Sequence, residues 1–173
     1  MRFSTLIARP RLFRLFDMPN TDPIREADDD ARKIVRTLID TAAFGALAVL
    51  RDGHPHVSRI AIARDDTGTP VTLISDLSLH TQAISASPEA SLLLGEPGDK
   101  GDPLTHPRVT IYVRAEALEK SAENTAGYLQ QHPKANLYIN FADFHLFRLK
   151  PVKGFLNAGF GKAYRLDASD FDT

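Results

Sequence analysis

The residue types able to do chemistry fall into five short clusters. His54-Pro55-His56-Val57-Ser58-Arg59 follows an Asp-Gly turn signal. Histidines two apart on a strand face one side and could share a metal, yet no cysteine or acid stands at ligand spacing, so no metal site is assigned. Strand alternation sends either Ser58 or Arg59 inward, and an inward arginine is costly unless it meets an anion. Ser75-Asp76-Leu77-Ser78-Leu79-His80-Thr81-Gln82 joins a strand end to a helix start. Free backbone N–H groups there attract phosphate, and Ser75, His80, Thr81 and Gln82 add donors; the ordinary alternative is a cap. Arg108 in His106-Pro107-Arg108 could reach an anion or merely a surface carboxylate. The segment 140–145 (Asn-Phe-Ala-Asp-Phe-His) reads as core and turn. Gly159-Phe160-Gly161-Lys162 lacks the spacing and hydroxyl of a phosphate-binding P-loop, and its glycines suit a sharp bend.

No Gly-x-Ser-x-Gly elbow, no His-Glu-x-x-His and no paired-carboxylate arrangement is present. The side chains therefore offer no strong nucleophile, and any activity would draw its chemistry from a cofactor. The absence of cysteine excludes disulfides, thiol catalysis and Cys-ligated zinc. A net charge of -1 argues against a nucleic-acid partner. No apolar run approaches the roughly 20 residues of a membrane span. The expected location is the cytoplasm.

These clusters must be positioned by the elements around them. Spacing of three and four in Ile24, Ala27, Ala31, Ile34, Val35, Leu38, Ile39 and Ala42 predicts a helix over 24–42, capped by Asp22. Three apolar runs over 44–75, divided by Asp-Gly and Asp-Asp-Thr-Gly, predict antiparallel strands. A short helix within 75–90, suggested by Leu79, Ala83, Ile84 and a Ser/Pro ending, a strand near 90–96, a Gly/Pro/Asp-rich loop, a long strand from Arg108, a helix over 121–138 broken at Pro133 and two closing strands complete the order. The fold class is mostly β with peripheral α-helices. Residues 1–20 read as a mis-called start or an arm on a partner, and 21–173 as a single domain.

Residues from about Ile24 to Leu166 resemble the pyridoxamine 5′-phosphate oxidase-like, FMN-binding split-barrel family, on the order and spacing of 54–96, 108–118 and 140–163. The matching pieces are a Ser-bearing strand, Leu77-x-x-His80-Thr81, Pro88-x-x-Ser91-Leu92-Leu93, the strand headed by Arg108 and the closing Gly159-Phe160-Gly161-x-Ala163. The haem-utilisation (HugZ-type) branch is the most similar. The resemblance implies an antiparallel, Greek-key-like split β-barrel and a homodimer with FMN at the subunit interface. It implies FMN contacts from Ser58, Arg59, Ser75, His80, Thr81, Gln82 and Arg108, and an FMN-dependent oxidoreductase of unassigned substrate. The oxidase members carry Arg-Lys where this chain has His80-Thr81, and their Trp-bearing segment has no counterpart in a chain without tryptophan. Two alternatives follow: a haem-binding or haem-utilisation protein using His145, His132 or His54 as ligand, and a non-catalytic flavin-binding module.

Overall fold

The Asp-Gly turn folds as its composition dictates. In a computed structural model, which describes residues 24–172, strands β2 (Phe44–Arg51) and β3 (His54–Ala61) form a hairpin. Asp52 and Gly53 at its tip have φ of 51° and 77°, the left-handed pair that a tight hairpin turn requires. The expectation of an arm over residues 1–20 lies outside the described residues.

Two further strands, β4 (Ala63–Arg64) and β5 (Pro70–Ser75), precede helix α2 (Leu79–Ala86). Then come β6 (Glu89–Leu94), β7 (Arg108–Leu118), helix α3 (Ala122–Gln131), β8 (Phe144–Asn157) and β9 (Ala163–Asp167). Strand β1 (Ile24–Glu26) and helix α1 (Asp29–Thr41) open the described chain. The sheet runs β1-β9-β8-β7-β6-β2-β3, and β5 joins β8 on one side and β4 on the other. The 14-residue β8 carries the architecture, because its first half pairs with β5 and its second half with β9 while β7 runs along its other edge. The sheet curls into a split barrel: β3 has no ladder to β5, and only the two-residue β4 bridges that seam.

Alternation sorts the side chains. Leu47, Val49, Ile60, Leu92, Ile111 and Leu156 fill the barrel, and α1 packs Ala31, Val35 and Ile39 into the same core. A second core sits under α3, where Tyr128, Ile139, Leu73 and Leu146 meet. Full burial of a residue such as Leu92 contributes about 1.5–3 kcal/mol.

The helix expected over 24–42 starts later. Asp28 caps α1, accepting from the Ala31 N–H at 2.8 Å, and Asp29 and Asp30 fill the first turn. Residues 24–26 instead pair in parallel with β9, whose open edge takes up backbone groups that helical spacing alone would have kept in the helix. The helix after Ser121 behaves as its sequence predicts: Ser121 caps it, and Pro133 restarts the chain as a short 3-10 turn over Pro133–Leu137. Among the described residues, no helix is long and apolar enough to cross a membrane.

Candidate functional site

Two regions could carry function, and strand alternation makes both. The first is the outer face of β3, β2, β6 and β7. Register places Val57, Ala48, Ser91, Tyr112 and Lys153 in one cross-strand row. The next row holds Arg59, Ala46, Leu93, Thr110 and Phe155. Small side chains at the centre and bulky ones around them leave a groove of about 480 Å³, lined by Leu50, Pro55, Ala48, Tyr112, Val152 and Lys153 among others.

A register shift between Tyr112 and Val113 adds Val152 as an extra residue on β8 and turns it outward beside Tyr112. Bulges of this kind re-aim side chains at functional surfaces. Leu50 and Val57 are each 63% exposed and Val152 52%. Exposed apolar residues gathered on one face are the feature that interaction surfaces share. Cations stand around it. The Lys153 ammonium lies over the Tyr112 ring at 5.1 Å, and Arg59 lies over the Phe44 ring at 5.0 Å. Arg114 binds Glu89 at 2.5 Å. The Ser87 hydroxyl, donating at 2.9 Å, with Arg114 behind it, holds Glu89 below the usual carboxylate range.

The second region is the polar end of the barrel around the start of α2. Ser75 donates to Asp143 Oδ2 at 2.6 Å, and the Asp76 N–H donates to the Asp143 carbonyl at 2.8 Å. His145 Nε2 meets Asp76 Oδ2 at 2.9 Å. Arg51 donates to Gln82 Oε1 at 3.0 Å. His56 Nε2 and Ser58 Oγ lie 3.1 Å apart on the inward side of β3. His80 is half-buried, and its Nε2 is buried without a hydrogen-bond partner. Burial first, and the nearby His56 second, lower the His80 pKa and favour a neutral imidazole. Thr81 is 1% exposed, and its Oγ1 also lacks a partner.

Within one copy of the chain, the residues that the resemblance assigns to a flavin do not gather in one place. Ser75, His80, Thr81 and Gln82 gather at the polar end. Alternation sends Ser58 inward and Arg59 outward. Arg108 heads β7 at the opposite end, where it donates to the carbonyls of Leu104 at 2.9 Å and His106 at 3.4 Å. Thr81 faces the core rather than solvent, because the first turn of α2 presses against the barrel end.

Sequence reasoning missed several contributors. Asp143, in the expected turn, and His145 on β8 also brace Ser75 and Asp76. Their signal was polarity beside aromatic residues, which says nothing about the partner strand. Tyr112, Val152 and Lys153 drew no notice, because an exposed apolar residue matters only once the sheet gathers it with others. A larger groove of about 730 Å³ lies between α3 and the β4–β5 turn. Its walls are polar and its arginines are paired, Arg64 with Asp40 and Arg148 with Asp65, so it offers no apolar slot.

The chain is similar to several known proteins. The chloroplastic non-canonical haem oxygenase HOZ of Arabidopsis thaliana is 31% identical over 123 residues, 68% of this chain and 37% of that protein. The haem oxygenase HutZ of Vibrio cholerae is 28% identical over 124 residues, 68% of this chain and 70% of that protein. This chain thus spans little more than a third of the length of the first relative. The structure of a haem-binding protein from Mycobacterium smegmatis superposes with a TM-score of 0.75 at 27% identity, covering 84% of this chain and 61% of that one. The model of the CREG β-barrel family matches residues 26–173. With strand order, seam and sequence in agreement, this chain belongs to the CREG β-barrel family of the FMN-binding split-barrel superfamily.

Proposed function

We propose that this protein serves haem utilisation, binding haem on the outer apolar face of its barrel between two copies of the chain. The observation that carries the proposal is the apolar groove with cations at its margin. Haem is a wide, flat apolar macrocycle ending in two carboxylates. It needs an apolar wall for the ring and donors for the propionates. Leu50, Ala48, Pro55 and Val152 supply the wall, and Lys153 supplies positive charge. The relatives named as haem oxygenases and haem-binding protein support the same reading. One wall does not enclose a ring. A second copy laid on the same exposed face would cover the other side, so a homodimer belongs to the proposal.

Titration of the purified chain with ferric haem tests it, followed by Soret absorbance and by quenching of tyrosine fluorescence. Saturable binding is expected at or below micromolar Kd. Lys153→Ala should weaken it roughly threefold to tenfold, the effect of losing one charge-assisted contact at a partly exposed site. A linear, non-saturating rise in absorbance would defeat the reading.

A second reading has its own support. His80 Nε2 and Thr81 Oγ1 are buried and unpartnered at the start of α2, and polar atoms left so invite a ligand. A flavin phosphate is one such ligand, and an FMN-dependent oxidoreductase or a non-catalytic flavin carrier would follow. The site carries little fixed positive charge for a dianion, which favours haem. FMN fluorescence quenching in the same preparation separates the two.

A further inference from the structure

Haem iron draws its protein ligand from histidine, cysteine, methionine or tyrosine. The chain has no cysteine, and its two methionines, Met1 and Met18, lie outside the described residues. None of its six histidines lines the outer groove. His56, His80 and His145 belong to the polar end of the barrel. His106 binds its own loop through both ring nitrogens, to the Gly98 N–H and the Lys100 carbonyl, each at 2.9 Å. His132 is bound to the Ile62 carbonyl at 2.8 Å. His54 stands exposed at the end of β3, with the inward-facing parity of His56.

The tyrosines sort differently. Tyr128 and Tyr164 are buried at 3% and 8% exposure, and Tyr138 packs on Phe144. Tyr112 lines the groove and is 38% exposed. Its cross-strand neighbour on β6 is the small Ser91, with Ala48 beyond, so on the β6 side only small side chains stand in its row. Phe155 packs on it at 5.8 Å and 66°. Lys153 lies over its face. These two contacts fix the ring direction before any ligand arrives.

The geometry points to Tyr112 as the ligand that the described residues offer to haem iron, through its phenolate oxygen. The assignment rests on the haem reading above and adds the iron ligand to it. Ligation forms one O–Fe(III) bond and releases the phenolic proton to solvent, with no change of oxidation state. The Lys153 ammonium offsets the negative charge that the phenolate brings.

The test uses the full chain and ferric haem. Resonance Raman should show the phenolate modes of a tyrosine-ligated, high-spin ferric haem. In Tyr112→Phe those modes should vanish and Kd should rise at least tenfold. His54→Ala and His145→Ala should leave the spectrum unchanged. Unchanged far-UV circular dichroism in each variant shows that the fold is kept. A complex whose spectrum is that of histidine ligation, or one that Tyr112→Phe leaves unaltered, overturns the assignment while leaving haem binding intact. Failure of the unmodified chain to take up haem at all removes the site and the assignment together.

Discussion

At the scale of single residues, His80 is the most exacting. It sits where α2 meets the barrel end, with His56 facing it and its Nε2 buried. Its pKa in the folded chain lies below the ordinary histidine value of 6.5. As pH falls, the unfolded chain binds this proton before the folded chain does. The neutral ring's contribution is therefore complete above about pH 6.5 and is lost progressively below it. Urea unfolding at pH 7.5 and pH 5.5 should show the protein losing stability on acidification. His80→Gln, which keeps bulk but cannot titrate in this range, should show a smaller loss between the same two conditions. An identical pH dependence in both proteins would mean that other groups carry it.

At the scale of elements, the connection between β6 and β7 is built around one backbone approach. Gly95 has φ of 107°, and a Cβ there would lie 2.5 Å from the Pro107 carbonyl oxygen and 2.7 Å from Arg108 Cα. Backbone cannot yield as a flexible side chain does, so Gly95→Ala should cost about 2 kcal/mol or more. For a chain of this size that is a fall in Tm of roughly 4–8 °C, readable by calorimetry. The variant should also loosen Arg108, whose loop contacts depend on the same approach.

This close contact was invisible in the sequence, where Gly95-Glu96-Pro97-Gly98 reads only as a loop. Local signals were legible where local physics decides. Asp52-Gly53 announced its hairpin, Ser121 its helix and Pro133 its break. Strand pairing was not legible, because nothing in residues 24–26 says that β9 leaves an open edge for them. The candidate site suffered most from this. His80 and Thr81 stand out in sequence because a helix start concentrates donors. Tyr112 and Lys153 come from strands far apart in the chain, and only the β7–β8 register sets them together.

At the scale of the whole molecule, the outer face sets the expected assembly. Phe44, Leu50, Val57, Leu93, Tyr112 and Val152 all stand between 38% and 63% exposed on one side of the sheet. A lone barrel in water would leave that surface wet at a cost of about 25 cal/mol for each Å² of apolar area. A two-fold partner buries the same patch on both copies, so a substitution there acts twice. Val57 lies at the edge of the row that runs through Ala48 and Ser91 to Tyr112, with its side chain directed away from the core. Val57→Asp should therefore leave the barrel intact while placing a carboxylate on each side of the interface. A loss of about 2 kcal/mol from each copy corresponds to roughly a thousandfold rise in the dimer Kd. Analytical ultracentrifugation at micromolar concentration should find the unmodified chain dimeric and Val57→Asp monomeric, with Tm little changed apart from the lost association. On the proposed haem site between the copies, haem would bind the dimer and not the separated barrels, so adding it should drive the Val57→Asp equilibrium back toward the dimer by mass action. A dimer that forms equally well with and without the carboxylate would place the interface on another face. The apolar groove would then have to hold its ligand against solvent alone.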